Sequence, residues 1–391
     1  MLNGENIICI ANTSWFGNYA KSTVHIMERL ARQNNILFVE YHYTVKDIIA
    51  TWLGKQNAPV KRLFGINSLM KIETNVGSKV FNLVPPAGIP VYFLKNEKIF
   101  NLLFRFNSYI YRKALQKVIS KLNFQRPIII TAYNPFYGLS LQNKLGAKTN
   151  IYYCYDGVES VFFGERIFKV EEMFSKSADA IITTSDFLNN EKLKLNSNSF
   201  VVKNGVDFSL FSKYAKKEIY KRDRKRVGFI GSLDPRFDIE TVEYAVRKLS
   251  HFDFEFTGDM RNVTMKNKLR SYPNVQFFDP VKPNTVPELL AKYDVGIIPY
   301  IVNEVNKNIY PLKINEYLAV GVPVVMTPFA YLPEFENMVS VSIDKDDFCT
   351  KLIFETETDT PKKLSQRILF ASENSWDART ESFSRIIESF I

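Results

Sequence analysis

Short apolar runs alternate with amphipathic segments along the first half of the chain. The runs at 6–11 and 36–41 are predicted strands, and residues 22–32 between them repeat apolar side chains at helical spacing. Three further runs are predicted strands, at 127–132, 151–154 and 180–184. Strands that alternate with helices predict a parallel, doubly wound α/β sheet, which binds ligands at the carboxyl ends of its strands.

The same alternation restarts after a polar connector. An Asn-Gly turn within 203–207 and the charged run at 213–226 separate the two halves of the chain. A helix is then predicted at 239–249, and strands are predicted at 227–230, 254–257, 275–278, 295–299 and 322–326.

We therefore predict two Rossmann-like, doubly wound domains that face each other across a cleft. The first domain is expected to comprise residues 1–205 and the second residues 206–375. Residues 376–391 are expected to form a helix that packs back on the first domain. A length of 391 residues and a hydrophobic content of 46% suffice for two such cores.

Composition narrows the class of protein. No run approaches the roughly 18 apolar residues of a membrane-spanning helix, and the first residues do not resemble a secretory signal, so a cytoplasmic protein is expected. The three cysteines, Cys9, Cys154 and Cys349, lie far apart and lack metal-ligand spacing. Neither a disulfide framework nor a zinc site is predicted.

The net charge of +10 lies in the first half of the chain. Residues 1–200 contain 24 Lys and Arg against 14 Asp and Glu, whereas the remainder contains 27 of each kind. Between positions 46 and 148 there are 16 basic residues and only three acidic ones. This excess predicts an anionic partner, and because no RNA-binding motif is present, nucleic acid is not expected.

A basic, aromatic segment at 99–122 suggests what that partner is. Its apolar residues are Ile99, Phe100, Leu102, Leu103, Phe106 and Ile110, and the basic residues among and around them are Lys98, Arg105, Arg112, Lys113, Lys117 and Lys121. This mixture is typical of a helix lying on an anionic membrane surface. The alternative is a core helix with a solvated basic face.

The strongest candidate site lies at 310–325, which reads Y-P-L-K-I-N-E-Y-L-A-V-G-V-P-V-V. Pro311 suits the first turn of a helix, and Gly321 ends it. The N-terminus of such a helix attracts anions, Lys313 is placed to meet a phosphate, and Glu316 is placed to accept hydrogen bonds from a ribose diol. The alternative is an ordinary helix with a solvated Lys/Glu face.

This segment resembles the donor-site signature of GT-B glycosyltransferases, specifically the group 1 (family 4-like) clan. N-G-V-D at 204–207, G-F-I-G-S-L-D-P-R at 228–236 and N-S-W-D-A-R at 374–379 are similar to further parts of that pattern. The resemblance covers about half of the chain closely and the N-terminal half in outline. It implies that the second domain binds a nucleotide sugar and the first domain binds the acceptor.

The resemblance also implies a donor site. Gly231 and Ser232 would let the backbone approach the donor diphosphate, and Glu316 would bind the ribose. The phosphate and sugar would be held by Tyr310, Pro311, Leu312 and Lys313. Arg236 is either a diphosphate partner or a surface residue of an Asp-Pro turn.

No metal or other cofactor is expected, because preorganised donors and cations can stabilise a departing nucleoside diphosphate. Asp344 and Asp346 superficially resemble a metal-binding D-x-D motif. They stand between a strand-like run and a predicted helix, so we expect them to cap that helix instead.

The catalytic base is predicted in the first domain. Retaining members of the clan carry a Glu eight positions before the ribose Glu, where this chain has Asn308, so an inverting mechanism with its own base is considered. Asp156, which directly follows a strand, is the candidate base; the alternative is that it caps the following segment. Trp15, Gly17 and His42 are predicted on the acceptor side.

The resulting hypothesis is transfer of a sugar from a UDP- or GDP-sugar to a glycan or lipid-linked acceptor in surface polysaccharide synthesis. The enzyme is expected to be peripheral on the inner face of the membrane. A nucleotide-sugar 2-epimerase of the same fold and a non-catalytic protein that binds anionic surfaces are the alternatives.

Overall fold

A computed structural model of the protein describes residues 1–17, 21–158, 165–259 and 263–391. The chain divides into two compact units. The first unit comprises Met1–Lys203 together with Arg379–Ile391, and the second comprises Asn204–Ala378. Each unit contains one sheet.

The first sheet has eight strands, in the spatial order β3-β4-β2-β1-β5-β6-β7-β8. They are β1 (Asn6–Ala11), β2 (Asn35–Val39), β3 (Leu69–Glu73), β4 (Lys79–Leu83), β5 (Ile128–Ala132), β6 (Thr149–Cys154), β7 (Ala180–Thr183) and β8 (Ser199–Val201). Neighbouring strands are parallel except for the β3–β4 pair. The predicted doubly wound sheet is therefore confirmed, with one antiparallel edge strand.

Between the strands of this sheet, the described residues form seven α-helices: α1 (Ser22–Leu30), α2 (Val45–Trp52), α3 (Val60–Leu63), α4 (Glu97–Leu122), α5 (Pro135–Leu141), α6 (Arg166–Ser177) and α7 (Asp186–Leu193). Ile8 and Ile10 of β1 share a core cluster with Tyr111 and Leu115 of α4. Because helices cover the inner strands, these strands are apolar on both faces and stand out as continuous runs in the sequence.

The hairpin formed by β3 and β4 was not predicted. β3 lies at the edge of the sheet, and its burial pattern contains no fully buried residue. Lys71 and Glu73 interrupt its apolar residues, and β4 begins with Lys79. Charged side chains protect an edge strand from pairing with another chain, but they also remove the periodic signal of a strand.

A buried ion pair joins two helices of the first unit. The Lys192 ammonium of α7 donates to the Glu171 carboxylate of α6, and both side chains are less than one tenth exposed. The Tyr152 hydroxyl of β6 donates to the same carboxylate at 2.9 Å. Because the carboxylate has both a counter-charge and a hydrogen bond, the ion pair is tolerated in the core. Removal of either charge would leave the other buried without its counter-charge.

The second sheet has six parallel strands in the order β11-β10-β9-β12-β13-β14. They are β9 (Arg226–Ile230), β10 (Asp253–Thr257), β11 (Val275–Phe278), β12 (Val295–Ile298), β13 (Val324–Met326) and β14 (Val339–Val341). This is the doubly wound Rossmann order, in which the direction of winding reverses between the first and fourth strands. The five predicted strands are confirmed; β13 begins after Pro323, two residues later than expected.

The helices of the second unit pack on both faces of that sheet around one core. They are α8 (Phe208–Phe211), α9 (Ile239–Lys248), α10 (Val263–Arg270), α11 (Val286–Leu290), α12 (Leu312–Ala319), α13 (Lys345–Glu357) and α14 (Pro361–Glu373). The last helix, α15 (Trp376–Glu388), continues into the segment that belongs to the first unit, where Phe383 packs against Tyr153 with ring centroids 5.2 Å apart.

Among the described residues, no helix is both long enough and apolar enough to cross a membrane.

The buried ion pair predicts a stability difference between two lysines of one helix. Lys192→Met should lower the free energy of unfolding of the first unit by about 3 kcal/mol, because Glu171 would remain buried without its counter-charge. Lys194→Met, which removes the exposed pair with Glu191, should change it by less than about 1 kcal/mol. Urea unfolding of both variants tests this; equal losses would contradict it.

Candidate functional site

The carboxyl ends of β9 and β12 define the ligand-binding edge of the second sheet. These two strands are neighbours although they lie far apart in sequence, and the winding of the sheet reverses between them. β9 leads directly into Gly231 and the half-buried Ser232, and β12 leads into Pro299 and Tyr300. In open α/β sheets this reversal leaves a crevice in which ligands bind.

Two glycines allow the backbone loops at this edge to touch. The Gly231 N–H donates to the Thr257 carbonyl at 2.9 Å, at the end of β10. A Cβ atom on Gly258 would lie 2.1 Å from the Gly231 carbonyl oxygen, and a Cβ atom on Gly231 would lie 2.7 Å from Cε of Lys313. Any side chain at either position would therefore displace the backbone or the lysine.

The Lys313 side chain extends from α12 over Gly231. Its ammonium donates to the Tyr300 hydroxyl at 3.2 Å and lies 5.5 Å from the centre of the Phe229 ring. Within the part of the chain that the structure describes, Lys313 has no ion-pair partner. Aromatic rings and a hydroxyl hold the ammonium in place without cancelling its charge, which remains available to an anion.

The N-terminus of α12 is open. Pro311 occupies the N-cap position with an extended backbone, and no side chain caps the helix. Elsewhere in the unit, Asp238 caps α9 and Asp344 caps α13, which confirms the expectation that Asp344 is a capping residue. Among the described residues, the N–H groups of Leu312 and Lys313 have no hydrogen-bond acceptor, and together with the positive end of the helix dipole they favour an anion at this place.

A set of hydrogen bonds fixes the segment before α12. The Asn204 side chain donates to the Tyr310 carbonyl at 3.2 Å. The Asn315 side chain donates to the Asn204 carbonyl at 3.4 Å and reaches the Tyr310 hydroxyl at 3.5 Å. Asn204 belongs to the N-G-V-D turn noted in the sequence, yet neither it nor Asn315 was predicted as a site residue. Together they hold Tyr310 and Pro311 at the start of the helix.

Glu316 lies on the same face of α12 as Lys313, because residues three positions apart are neighbours on a helix. Its side chain is half-buried. The next residue, Tyr317, is fully buried, and its hydroxyl donates to the Gly228 carbonyl of β9 at 3.0 Å. This bond fixes α12 against β9, the strand that leads into Gly231. The residues predicted to bind the diphosphate and the ribose are therefore held in place relative to one another.

Arg236 is engaged within its own turn. Its guanidinium pairs with the Asp234 carboxylate and lies 5.7 Å from the centre of the Tyr300 ring. Burial raises the pKa of Asp234, but the hydrogen bonds from Arg236 and its charge, together with that of Lys313, outweigh burial and lower this pKa. Arg236 therefore belongs to an Asp-Pro turn beside Tyr300, and its role as a diphosphate partner stays a prediction.

The loop after β1 is held by two charged residues that sequence analysis missed. The Trp15 N–H donates to the buried Glu40 carboxylate at 3.0 Å, and the Asn82 side chain donates to the same oxygen at 2.8 Å. The Lys21 ammonium donates to the Ser14 carbonyl at 2.5 Å. A Cβ atom on Gly17 would lie 3.1 Å from that ammonium, and Gly17 has a φ of 138°, a backbone conformation that favours glycine.

His42, predicted on the acceptor side, is buried and lines a small pocket of the first unit together with Tyr41, Tyr92 and Tyr137. It is only 8% exposed, and Nε2 faces the Pro86 carbonyl at 2.9 Å while Nδ1 faces the Tyr137 hydroxyl. Because a carbonyl only accepts, Nε2 carries the proton and Nδ1 accepts from Tyr137. Burial lowers the pKa of His42 to about 4, so the imidazole is neutral. The acceptor-side role of His42 stays a prediction; its position after β2 was clear from the sequence, but its burial was not.

Asp156 lies just beyond β6, at the carboxyl edge of the first sheet, and is half-buried. Its carboxylate accepts a hydrogen bond from the Gly157 N–H at 2.9 Å. The Thr184 hydroxyl, at the end of β7, donates to the Tyr155 carbonyl at 2.8 Å and supports the same turn. Asp156 stays a prediction as the base. The side chain of Asn308 lies outside the described residues.

Comparison with known proteins finds a family match within the second unit. Residues 224–369, a little over a third of the chain, match the family described as Glycosyl transferases group 1. TuaH of Bacillus subtilis (strain 168), whose name assigns it to teichuronic acid biosynthesis as a glycosyltransferase, is 32% identical over 228 residues. That alignment covers 53% of this chain and 56% of TuaH, so it spans only about half of each protein.

Solved structures match almost the whole chain. Sucrose-phosphate synthase from Thermosynechococcus elongatus has a TM-score of 0.71 at 14% identity and covers 99% of both chains. A glycosyltransferase from Rickettsia africae ESF-5 has a TM-score of 0.69 at 14% identity, covering 100% of this chain and 99% of its own. An E. coli structure described as trehalose-6-phosphate bound with UDP-2-fluoro glucose has a TM-score of 0.68 at 10% identity, covering 98% and 99%. The predicted GT-B architecture and the resemblance to group 1 glycosyltransferases are confirmed.

The geometry around Lys313 predicts its contribution to anion binding. Lys313→Met keeps the length of the side chain and its packing on Phe229 but removes the charge. We expect about tenfold weaker binding of a nucleoside diphosphate, since one charge-assisted contact is worth about 1.5 kcal/mol or more. Calorimetric titration measures this. Lys292→Met, at an exposed lysine of the same unit, is the control and should bind normally.

Burial of His42 predicts a pH dependence of stability. Its folded-state pKa of about 4 lies below the ordinary 6.5, so the unfolded chain takes up the proton first as the pH falls. The stability is full above pH 6.5 and declines towards pH 4, with a loss of about 2 kcal/mol between pH 7 and pH 5.

Unfolding of the first unit at a series of pH values measures this loss. His42→Gln should flatten the profile, whereas His251→Gln, at an exposed histidine, should leave the slope unchanged. A profile of His42→Gln that is as steep as that of the wild type would contradict the assignment.

Proposed function

Because residues 224–369 form a glycosyl transferases group 1 domain in a chain with the GT-B fold, we propose that the protein transfers a sugar from a UDP- or GDP-sugar to a glycan or lipid-linked acceptor. The observation that carries the proposal is the approach of Lys313 to Gly231 at the open N-terminus of α12. It concentrates N–H groups and one uncompensated ammonium where a diphosphate would lie.

The leaving group explains why this arrangement suits transfer. When the bond between the anomeric carbon and the diphosphate oxygen breaks, negative charge accumulates on the diphosphate. N–H groups and cations that are already oriented stabilise that charge more than they stabilise the intact nucleotide sugar. Such preferential stabilisation of the transition state is the requirement for catalysis. Gly231, Lys313 and the first turn of α12 would serve the diphosphate, and Glu316 the ribose.

Acceptor activation is assigned to the first unit. We propose Asp156 as the base that removes the proton of the acceptor hydroxyl, with inversion of configuration at the anomeric carbon. Its support is its position beyond a parallel strand, at a half-buried turn braced by Thr184, where a carboxylate meets ligands in folds of this kind.

A membrane-associated acceptor in surface polysaccharide synthesis completes the proposal. The relative TuaH is assigned by its name to teichuronic acid biosynthesis. The helix α4 adds a physical reason, because it presents apolar residues to solvent opposite its buried face. We call Ile99, Leu102, Phe106 and Tyr109 the α4 stripe; all four are exposed and lie on one side of the helix. Lys98, Arg105 and Lys113 accompany them, as on a helix that contacts anionic lipid at the inner face of the membrane.

Donor cleavage tests the proposed reaction directly. The protein is incubated with UDP-glucose, UDP-GlcNAc and GDP-mannose in turn, with and without a lipid extract, and released nucleoside diphosphate is measured. Release from one donor, stimulated by the extract, supports transfer. Conversion of UDP-GlcNAc without any acceptor would support a 2-epimerase, and the absence of nucleotide binding would refute both.

Two substitutions separate the proposed roles. Glu316→Ala should weaken donor binding by about tenfold or more with the fold intact, because it removes charged acceptors for the ribose hydroxyls. Asp156→Asn should leave donor binding unchanged and lower transfer by at least a hundredfold, since it removes the base but keeps the size of the side chain. Unchanged donor affinity in the first variant, or full activity in the second, would refute the respective assignment.

A further inference from the structure

The helix α2 exposes a second apolar surface in the first unit. Val45, Ile49 and Trp52 repeat at helical spacing and are 47%, 49% and 69% exposed, and Leu53, which follows the helix, is 63% exposed. Ile48 lies beside Trp52 on the helix surface but is buried, so it marks the edge of the exposed apolar face. Single exposed apolar residues are common on soluble proteins, whereas four large ones together indicate an interaction surface.

The chain after α2 folds back on this helix and adds to the surface. The Ala58 N–H donates to the Thr51 hydroxyl of α2 at 2.9 Å. Beyond α3, Phe64 and Ile66 are exposed, and the Arg62 guanidinium holds this turn by donating to the Asn82 side chain of β4 at 2.7 Å. These hydrogen bonds therefore hold in place the segments that carry the exposed apolar side chains. We call Val45, Ile49, Trp52, Leu53, Phe64 and Ile66 the α2 surface.

The charges around the α2 surface favour an anionic partner. Lys46, Lys55 and Lys61 are exposed within or beside it. The acidic residue of the same segment, Asp47, is occupied by its capping box: one carboxylate oxygen accepts from the Thr44 N–H, and the other accepts from the Gln56 side chain at 3.0 Å. A second copy of this chain would bring like charges together, whereas the surface of an anionic bilayer attracts them.

The start of α2 is linked to the middle of α4. The Val45 N–H donates to the Gly88 carbonyl at 2.9 Å. The next residue, Ile89, exchanges two hydrogen bonds with the Asn107 side chain of α4, at 2.9 and 2.8 Å. One short segment thus connects the α2 surface with the helix that carries the α4 stripe.

We propose that the α2 surface inserts into an anionic lipid bilayer and anchors the enzyme there. Trp52, with Leu53 beside it, is suited to the boundary between headgroups and acyl chains, and the lysines to the anionic headgroups. Insertion adds a hydrophobic, salt-resistant component to the electrostatic attraction of α4. The inference rests on the proposed function only in taking the acceptor to be at a membrane.

Fluorescence of Trp52 in the full-length protein tests the insertion. Trp376 is buried and Trp15 half-buried, so the exposed Trp52 is the tryptophan placed to report contact with lipid. Vesicles of phosphatidylcholine with phosphatidylglycerol, carrying bromine on the acyl chains, should quench the emission. Trp52→Phe should remove this quenching. Equal quenching of the wild type and Trp52→Phe, or equal binding to vesicles without phosphatidylglycerol, would overturn the proposal.

Sedimentation with the same vesicles at high salt isolates the hydrophobic component. Leu53→Ser should lower the bound fraction by roughly tenfold in partition coefficient, because a leucine side chain no longer enters the lipid. Leu369→Ser, at a leucine of similar exposure in the second unit, is the matched control and should bind like the wild type. Equal effects of the two variants would overturn the proposal.

Donor cleavage without vesicles is measured on the same samples and should be unchanged in Leu53→Ser. Vesicle binding by a protein that cleaves no donor would refute the proposed function and leave the anchor intact. Donor cleavage by a protein that does not bind vesicles would do the reverse.

Discussion

The approach of the Lys313 side chain to the backbone at Gly231 is the contact on which the candidate site depends. It requires glycine at 231, because any Cβ atom would meet the lysine, and glycine at 258, because the two loops touch there. The rings of Phe229 and Tyr300 hold the ammonium without neutralising it. A carboxylate in the same place would position the lysine equally well, but it would compete with an anionic ligand for the charge.

The topology of the sheet explains why this contact forms at the ligand-binding edge. β9 and β12 are adjacent because the chain crosses from one side of the sheet to the other, and α12 follows β12 in sequence. Most of this was predictable: five apolar runs give five of the six strands of the second unit in nearly correct bounds, and only β14 was missed. The segment from Tyr310 to Glu316 has the residue types of an anion-binding helix start. The hydrogen bonds that orient this segment were not predictable. Asn204 and Asn315 are 111 positions apart, and nothing in the local pattern of either indicates that they meet.

Charged and titratable residues mark the limit of sequence analysis in the first unit. Glu40 and His42 both follow β2, and both are buried, yet Glu40 organises the loop after β1 whereas His42 forms hydrogen bonds with Tyr137 and the Pro86 carbonyl. Position along the chain places both at the carboxyl edge of the sheet. Their roles depend on which neighbouring strand, helix or loop each side chain meets, and these contacts are set by residues far away in sequence. The hydrophobic periodicity of a strand or a helix carries no information about these distant contacts.

The helix α4 shows why one segment admits two competing interpretations. Its buried face, with Phe100, Tyr111 and Leu115, makes it the core helix of one interpretation. Its opposite face, the α4 stripe with its lysines and arginines, has the composition of the other. Because apolar residues occupy both faces, the segment has no single hydrophobic side, and periodicity alone cannot separate packing residues from exposed ones. The structure makes the separation, since a residue that contacts β1 is unavailable to lipid. A partner should therefore be inferred from the composition of the residues that remain exposed after the core has formed.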